Sequence, residues 1–335
     1  MKLTYSFIIT LFFISIEVFG QSAPQKYVFI EHFTNTRCST CAFRNPAFFD
    51  IIHAPENEGK VHHIAVHPPY PYLQCAFYQH NTNDNLSRTE FYGVQGTPRI
   101  YVWGDRNSES GKLLSQTRLN TFLDQTASIA VLVDEETNGN SRNVSIDVKS
   151  YENIEGSDLK LFAAVVEKEV NYNAPNGEDE HFNVFRKMLP NFDGTDFNPA
   201  AMGDSKSFNF TYELDSEWDA SQVYVIAFVQ NVATKEVLNS GSPFDVVLTD
   251  IEESVLSKNV LLYPNPASDF IHLQRNEQSL SIDQVAIYNN SGVLMQSFEG
   301  TPVNLEIDVR TYPTGVYFIK LKSGKDTIYR KVVVQ

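Results

Sequence analysis

The sequence predicts a multidomain α/β plus all-β protein, in which an α/β domain is followed by an antiparallel β-sandwich and a small C-terminal β-sandwich. The 335 residues are enough for two or three domains. Residues 134–254 carry 8 basic and 24 acidic side chains, whereas the segments on either side are nearly neutral, which indicates separate surfaces. A strand and a helix near the N-terminus give way to apolar/polar alternation over much of the remaining chain, which is typical of antiparallel strands.

The composition and charge exclude several classes of protein. With 42% hydrophobic and 13% aromatic residues the chain can bury cores, so it is not disordered or collagen-like. Three cysteines are too few for a disulfide scaffold. A net charge of −15 opposes binding to phosphate backbones, so no nucleic-acid partner is predicted.

Residues 1–20 have the parts of a signal peptide. Met1-Lys2 precedes an apolar run from Leu3 to Ile16, and small residues lead to a cleavage site after Gly20. The run is short for a bilayer core of about 30 Å, and no later stretch approaches about 18 apolar residues. We therefore expect export and a mature chain without a transmembrane helix, with an uncleaved anchor as the alternative.

The predicted α/β domain, residues 21–127, contains a Cys-x-x-Cys motif at a strand-to-helix junction. The strand Tyr27–Ile30 precedes Cys38-Ser39-Thr40-Cys41, after which helical periodicity resumes. Unpaired N–H groups at a helix N-terminus stabilise a thiolate, and Arg37 adds a positive charge. Cys38 is therefore the candidate nucleophile and Cys41 the candidate resolving thiol.

These residues resemble the thioredoxin fold. Pro46 stands five positions after Cys41, and Gly93–Val102 is similar to the segment that carries the thioredoxin cis-proline. The resemblance implies that Thr97-Pro98 is a cis peptide beside the cysteines and that Pro98 shapes a substrate groove. It also implies, after a one-residue shift, that Glu31 is the buried carboxylate that moves a proton from the resolving thiol.

Three interpretations of the cysteine pair stay open from the residues alone. The pair could be a reversible redox couple, a permanent disulfide of an exported domain, or part of a metal site completed by Cys75 or a histidine. His63 and His67 lie about 13 Å apart along one strand, which is too far for one ion without a bend. No glycine-rich phosphate loop or Ser/His/Asp arrangement is present, so no cofactor is predicted.

Residues 25 to 250 resemble the outer membrane protein 28-related family, thioredoxin-like proteins secreted or surface-exposed in Bacteroidota. The resemblance depends on the order of the Cys-x-x-Cys motif, His67, a proline-rich loop and Phe91–Pro98. Two later segments, Phe185–Pro190 and Val223–Asn231, are similar to the second-domain signatures of that family. Alternating residues between 129 and 229 predict an antiparallel sandwich over this acidic part.

The last 80 residues resemble the type A C-terminal sorting domain of the type IX secretion system. The resemblance depends on Tyr263-Pro264-Asn265-Pro266, a mid-domain strand and turn, and the strand Gly315–Leu321. It implies that the secretion machinery is a partner and that the tail is removed on release or surface attachment. An adhesive sandwich that stays attached is the alternative. We expect a linker with few contacts before the tail.

Together these features predict an exported cell-surface or secreted protein. Its candidate activity is thiol-disulfide exchange with an unidentified thiol or disulfide protein; the alternative is a binding or adhesion protein whose cysteines form a structural disulfide. The predicted segments are signal peptide 1–20, thioredoxin-like domain 21–127, acidic sandwich 128–250, linker 251–258 and sorting domain 259–335.

Overall fold

The computed structural model describes residues 23–245, 256, 259–275, 281–290, 292–300, 304–324 and 326–335. The predicted signal peptide lies outside the described residues, and so does the predicted linker 251–258 apart from Leu256. Among the residues described, no helix has the length and apolar character needed to cross a bilayer.

The first part of the chain alternates strands and helices. A buried, β-branched and aromatic strand leads into the helix that carries the Cys-x-x-Cys motif, and a left-handed Gly93 ends the third helix. The elements are β1 (Val28–Phe33), α1 (Ser39–Ile52), a 3₁₀ turn (Pro55–Asn57), β2 (Val61–Val66), α2 (Ala76–His80), α3 (Thr82–Tyr92), β3 (Arg99–Val102), β4 (Asp105–Asn107) and α4 (Gln116–Asn120).

The acidic part consists of strands. Buried and exposed positions alternate along β5 and β6, as expected for strands with one face on a core. The elements are β5 (Ile129–Asn138), β6 (Ser141–Ser150), β7 (Leu159–Asn171), β8 (Glu180–Leu189), β9 (Thr195–Asp196), β10 (Ser205–Glu213), β11 (Val223–Asn231) and β12 (Val237–Gly241).

The tail forms two further sheets around a core of its own, which includes Leu256. One sheet has the order β13-β14-β17 and the other β16-β15-β18-β19. The strands are β13 (Val260–Tyr263), β14 (Phe270–Arg275), β15 (Gln284–Asn289), β16 (Leu294–Glu299), β17 (Asn304–Asp308), β18 (Gly315–Ser323) and β19 (Asp326–Val334).

The predicted fold class is wrong. The structure is mostly β, with 46% of residues in strands and 14% in helices, and no separate thioredoxin-like α/β domain is evident in the described part of the chain. Instead, β1–β4 belong to one nine-stranded sheet, β12-β11-β7-β8-β2-β1-β3-β4, with β9 paired to β7. The strands of the first part are joined to those of the acidic part by the parallel pairing of Ala65 in β2 with Val184 in β8.

The physical reason for this correction is a shared core. Every residue of β2 after Val61 is buried, so this strand needs cover on both faces and a partner at its edge, which β8 supplies. Phe29 and Phe33 of β1 pack in one cluster with Phe162 and Phe228 from the acidic part. The two parts therefore share one apolar core across the nine-stranded sheet.

The sandwich prediction fits in part. The sheet β10-β6-β5 covers the other face of the nine-stranded sheet, and alternate residues of both sheets form one apolar cluster. The tail contacts this sandwich through ion pairs of Lys320 with Asp134 and of Lys322 with Glu136. The expected linker with few contacts lies outside the described residues apart from Leu256, so that expectation stays a prediction.

Candidate functional site

The Cys-x-x-Cys motif lies where β1 passes into α1. Cys38 is the N-cap residue of α1, and its sulfur accepts a hydrogen bond from the backbone N–H of Cys41 at 3.2 Å. The Cys38 thiol lies 3.6 Å from the carbonyl oxygen of Thr97, to which it can donate. A sulfur at this position lies at the positive end of the helix dipole, which favours the thiolate.

The two thiols differ in exposure and acidity. The neighbouring Cys41 thiol is the largest cause that lowers the pKa of Cys38 to about 6. Burial raises the pKa of Cys41 far above its ordinary value, so this thiol keeps its proton. Cys38 is 5% exposed and Cys41 is fully buried. Cys38 is therefore the less buried of the two cysteines and also the one with the lower pKa.

Pro98 lies beside the cysteines. The Thr97–Pro98 peptide bond is cis, as the sequence resemblance implies, and it directly precedes β3. Because the Thr97 carbonyl contacts the Cys38 sulfur, the structure brings Cys38, Cys41 and Pro98 into one site. Pro98 is itself buried.

Glu31 is in a different environment. It is fully buried on β1, and its Oε1 accepts from Nε of Arg88 at 2.9 Å and from Nη2 at 2.5 Å. Its Oε2 accepts from the Tyr92 hydroxyl. The pKa of Cys41 is shifted by burial and by contacts with Cys38, Thr97 and Thr34. Glu31 does not contribute to this shift. A proton-transfer role for Glu31 stays a prediction.

All three cysteines are free, so the described structure holds no disulfide. Cys75 is fully buried in the loop that follows β2, where its sulfur accepts from the Thr36 hydroxyl at 3.3 Å. This loop lies against the segment before the motif, because Asn35 donates to the carbonyl oxygens of Pro68 and Tyr72 at 3.0 Å.

Sequence reasoning missed the residues that hold the motif from the acidic part of the chain. In the turn between β7 and β8, Nδ2 of Asn176 lies 3.2 Å from the Cys38 carbonyl oxygen and 2.5 Å from Glu178. The local signal, Asn176-Gly177, predicts a tight turn. It carries no information about a partner 138 positions earlier in the chain.

Buried histidines lie behind the motif. The rings of His32 and His63 are 5.6 Å apart, and both pack edge-on against Phe48. Burial lowers the pKa of His32 to about 3 and holds the pKa of His63 well below its ordinary value. Within the described residues, no group of three His, Cys, Asp or Glu side chains is arranged to hold a metal ion.

Two segments of the chain match models of known protein families. Residues 86–242 match the family model of outer membrane protein Omp28, and residues 261–335 match that of the secretion system C-terminal sorting domain. No curated protein matches the chain.

Two solved structures from Porphyromonas gingivalis are similar to this chain. HBP35 is 19% identical with a TM-score of 0.57, over 94% of this chain and 100% of that one, which shows a shared fold. A domain of the outer membrane lipoprotein Omp28 is 20% identical with a TM-score of 0.28, over 35% of this chain and 86% of that one. The protein thus carries an Omp28 domain followed by a secretion-system C-terminal sorting domain, and its place is the cell surface or the secreted fraction.

Proposed function

We propose that this exported protein is a thiol-disulfide oxidoreductase whose nucleophile is Cys38 and whose resolving thiol is Cys41. The observation that carries the proposal is the Cys38 sulfur, which caps α1 at 3.2 Å from the Cys41 N–H and has its pKa lowered to about 6. A thiolate at neutral pH is the reactive form of cysteine. The alternative, a structural disulfide in a binding protein, lacks support because all three cysteines are free.

The reaction balances with a protein disulfide as the oxidant. The Cys38 thiolate attacks one substrate sulfur, a mixed disulfide forms, and the other substrate sulfur leaves as a thiolate that takes up a proton. Cys41 then attacks the Cys38 sulfur and gives up its proton, and the second substrate sulfur leaves and takes up a proton to become a thiol. Two electrons pass to the substrate, and the Cys38–Cys41 disulfide forms. The same steps in reverse oxidise a substrate dithiol.

Alkylation rates test this assignment. In a Cys75→Ser background, which leaves only the pair, iodoacetamide should react with Cys38 at a rate whose pH profile has its midpoint near 6, because only the thiolate reacts. Cys41→Ser should trap mixed disulfides with substrate proteins, whereas Cys38→Ser should trap none. Equally slow labelling of Cys38 and Cys41 would eliminate the enzymatic assignment.

The sorting tail is proposed to direct export without contributing to the thiol site. Removal of residues 256–335 takes away the whole tail core, including Leu256, and breaks the two lysine ion pairs with β5. We expect the truncated chain to keep a near-native melting temperature and the same Cys38 alkylation profile, and to accumulate in the periplasm. The matched control is Lys320→Met in the full chain, which weakens the contact but keeps the tail. Truncated protein in the medium would contradict the assignment.

A further inference from the structure

The turn between β7 and β8, residues 172–179, contacts the cysteine motif through one asparagine. The backbone N–H of Asn176 donates to the Thr36 carbonyl oxygen at 3.1 Å. Its side-chain Nδ2 is 3.2 Å from the Cys38 carbonyl oxygen and 3.4 Å from that of Asn35. The turn therefore holds the backbone on both sides of Arg37.

Glu178 fixes the orientation of this asparagine. Its backbone N–H donates to Oδ1 of Asn176 at 3.2 Å, and its Oε2 accepts from Nδ2 at 2.5 Å. With the amide oxygen and one amide hydrogen engaged in this way, the remaining hydrogen points toward the motif. The other carboxylate oxygen of Glu178 accepts from Nδ2 of Asn45 at 2.7 Å, and Asn45 is a buried residue of α1. One carboxylate thus links the turn to the helix.

The Cys38 carbonyl is the group that these contacts restrain. It accepts from the N–H groups of Cys41 at 3.1 Å and Ala42 at 3.2 Å, and Asn176 is its third donor. The Cys38 sulfur must stay 3.2 Å from the Cys41 N–H for the helix terminus to stabilise the thiolate. A rotation of the Cys38 backbone would remove that bond.

We infer that Asn176, oriented by Glu178, is a positioning residue that holds the Cys38 sulfur at the N-terminus of α1. This inference rests on the proposed function of Cys38. Asn176 contacts the peptide carbonyl and not the sulfur, so its effect passes through the cysteine backbone.

The turn has enough other bonds to fold without the Asn176 side chain. Within it, Tyr172 N–H donates to Asp179 O at 2.9 Å and Ala174 N–H to Glu178 O at 2.8 Å, and neither bond uses a side chain. The loss of the Asn176 amide group should therefore shift the alkylation profile of Cys38 while the turn stays folded.

The experiment is the pH profile of Cys38 alkylation by iodoacetamide, in the mature full-length chain with Cys75→Ser. Asn176→Ala removes the donor, and Asn176→Leu keeps a side chain of similar size without the donor or a new charge. The loss of one net hydrogen bond predicts alkylation about fivefold slower at pH 5.5 and a midpoint at higher pH. The matched control is Asn173→Ala, an exposed asparagine of the same turn, which should leave the profile unchanged. Thermal melting of each variant checks the fold.

The outcomes separate the inference from the proposed function. If the parent protein shows no midpoint below that of an ordinary cysteine, the proposed function fails, and the inference fails with it. If the parent midpoint is near 6 and both Asn176 variants keep it, the inference alone is overturned. An equal shift in Asn173→Ala would assign the effect to the turn in general and would also overturn it.

Discussion

Replacement of Arg88 by methionine is expected to lower the free energy of unfolding by about 3–5 kcal/mol, because it leaves the Glu31 carboxylate buried without its cation. Arg88 is 2% exposed and Glu31 is fully buried. The guanidinium also donates from Nη1 and Nη2 to Gln230 at 3.1 Å, so it joins α3 to β1 and β11. Its Cζ lies 4.8–5.5 Å from the centroids of four aromatic rings, those of Phe91, Tyr92, Phe162 and Phe228.

Chemical denaturation of the mature chain measures this effect. The matched control is Lys160→Met in the same sheet, since Lys160 pairs with the largely exposed Asp196 and should change the free energy of unfolding by at most about 1 kcal/mol. The double variant Glu31→Gln/Arg88→Met should recover part of the loss, because it buries no net charge. A single Arg88→Met variant as stable as the parent would show that the buried ion pair does not stabilise the fold.

The burial of this ion pair could not be predicted from the sequence. Arg88 stands in a helical segment beside Leu86 and Ser87, where an arginine usually faces solvent. Its burial depends on Glu31, 57 positions earlier, and on Gln230, 142 positions later. No local pattern encodes a contact between segments so far apart. The same reasoning explains why β8 could not be placed beside β2.

The cysteine motif was accessible to sequence reasoning because its signals are local. An apolar strand, a cysteine at the cap position and helical periodicity after it lie within 25 residues, and the structure has β1, Cys38 and α1 in that order. Thr97-Pro98 came from a motif resemblance, and the structure places it against Cys38. Asn176 and Glu178 could not be found in this way, since their partners Cys38 and Asn45 lie 138 and 133 positions earlier in the chain.

Acidification from pH 7 to pH 5 is expected to lower the free energy of unfolding by about 5 kcal/mol. His32, His63 and His67 are at most 2% exposed, and burial lowers the pKa of all three, that of His32 to about 3. The unfolded chain, in which a histidine has a pKa near 6.5, therefore binds more protons than the folded chain as the pH falls. Each histidine removes about 2 kcal/mol by pH 5.

One partly buried carboxyl group acts in the opposite direction. Burial raises the pKa of Glu135 to about 7, so the folded chain binds this proton more readily than the unfolded chain does. The stability that this proton adds is present at low pH and is lost as the pH rises through 7. Between pH 7 and pH 5, Glu135 therefore raises the free energy of unfolding by about 2 kcal/mol. The Cys38 thiolate, whose pKa is lowered to about 6, is also protonated over this range and removes about 1 kcal/mol. The net loss of about 5 kcal/mol is large beside the 5–15 kcal/mol of a typical domain.

The variant His32→Leu tests the origin of this acid sensitivity. Neither ring nitrogen of His32 has a hydrogen-bond partner in the described structure, so leucine removes no bond. The nearby Asn45 amide only reduces the fall in the pKa of His32. The free energy of unfolding at pH 7 should change little, and the loss between pH 7 and pH 5 should shrink by about 2 kcal/mol. His272→Gln, a partly exposed position in the tail, should leave the loss unchanged. If His32→Leu and the parent lost stability in parallel, His32 would have to take up its proton as readily in the folded chain as in the unfolded one, which a fully buried ring without a partner disfavours.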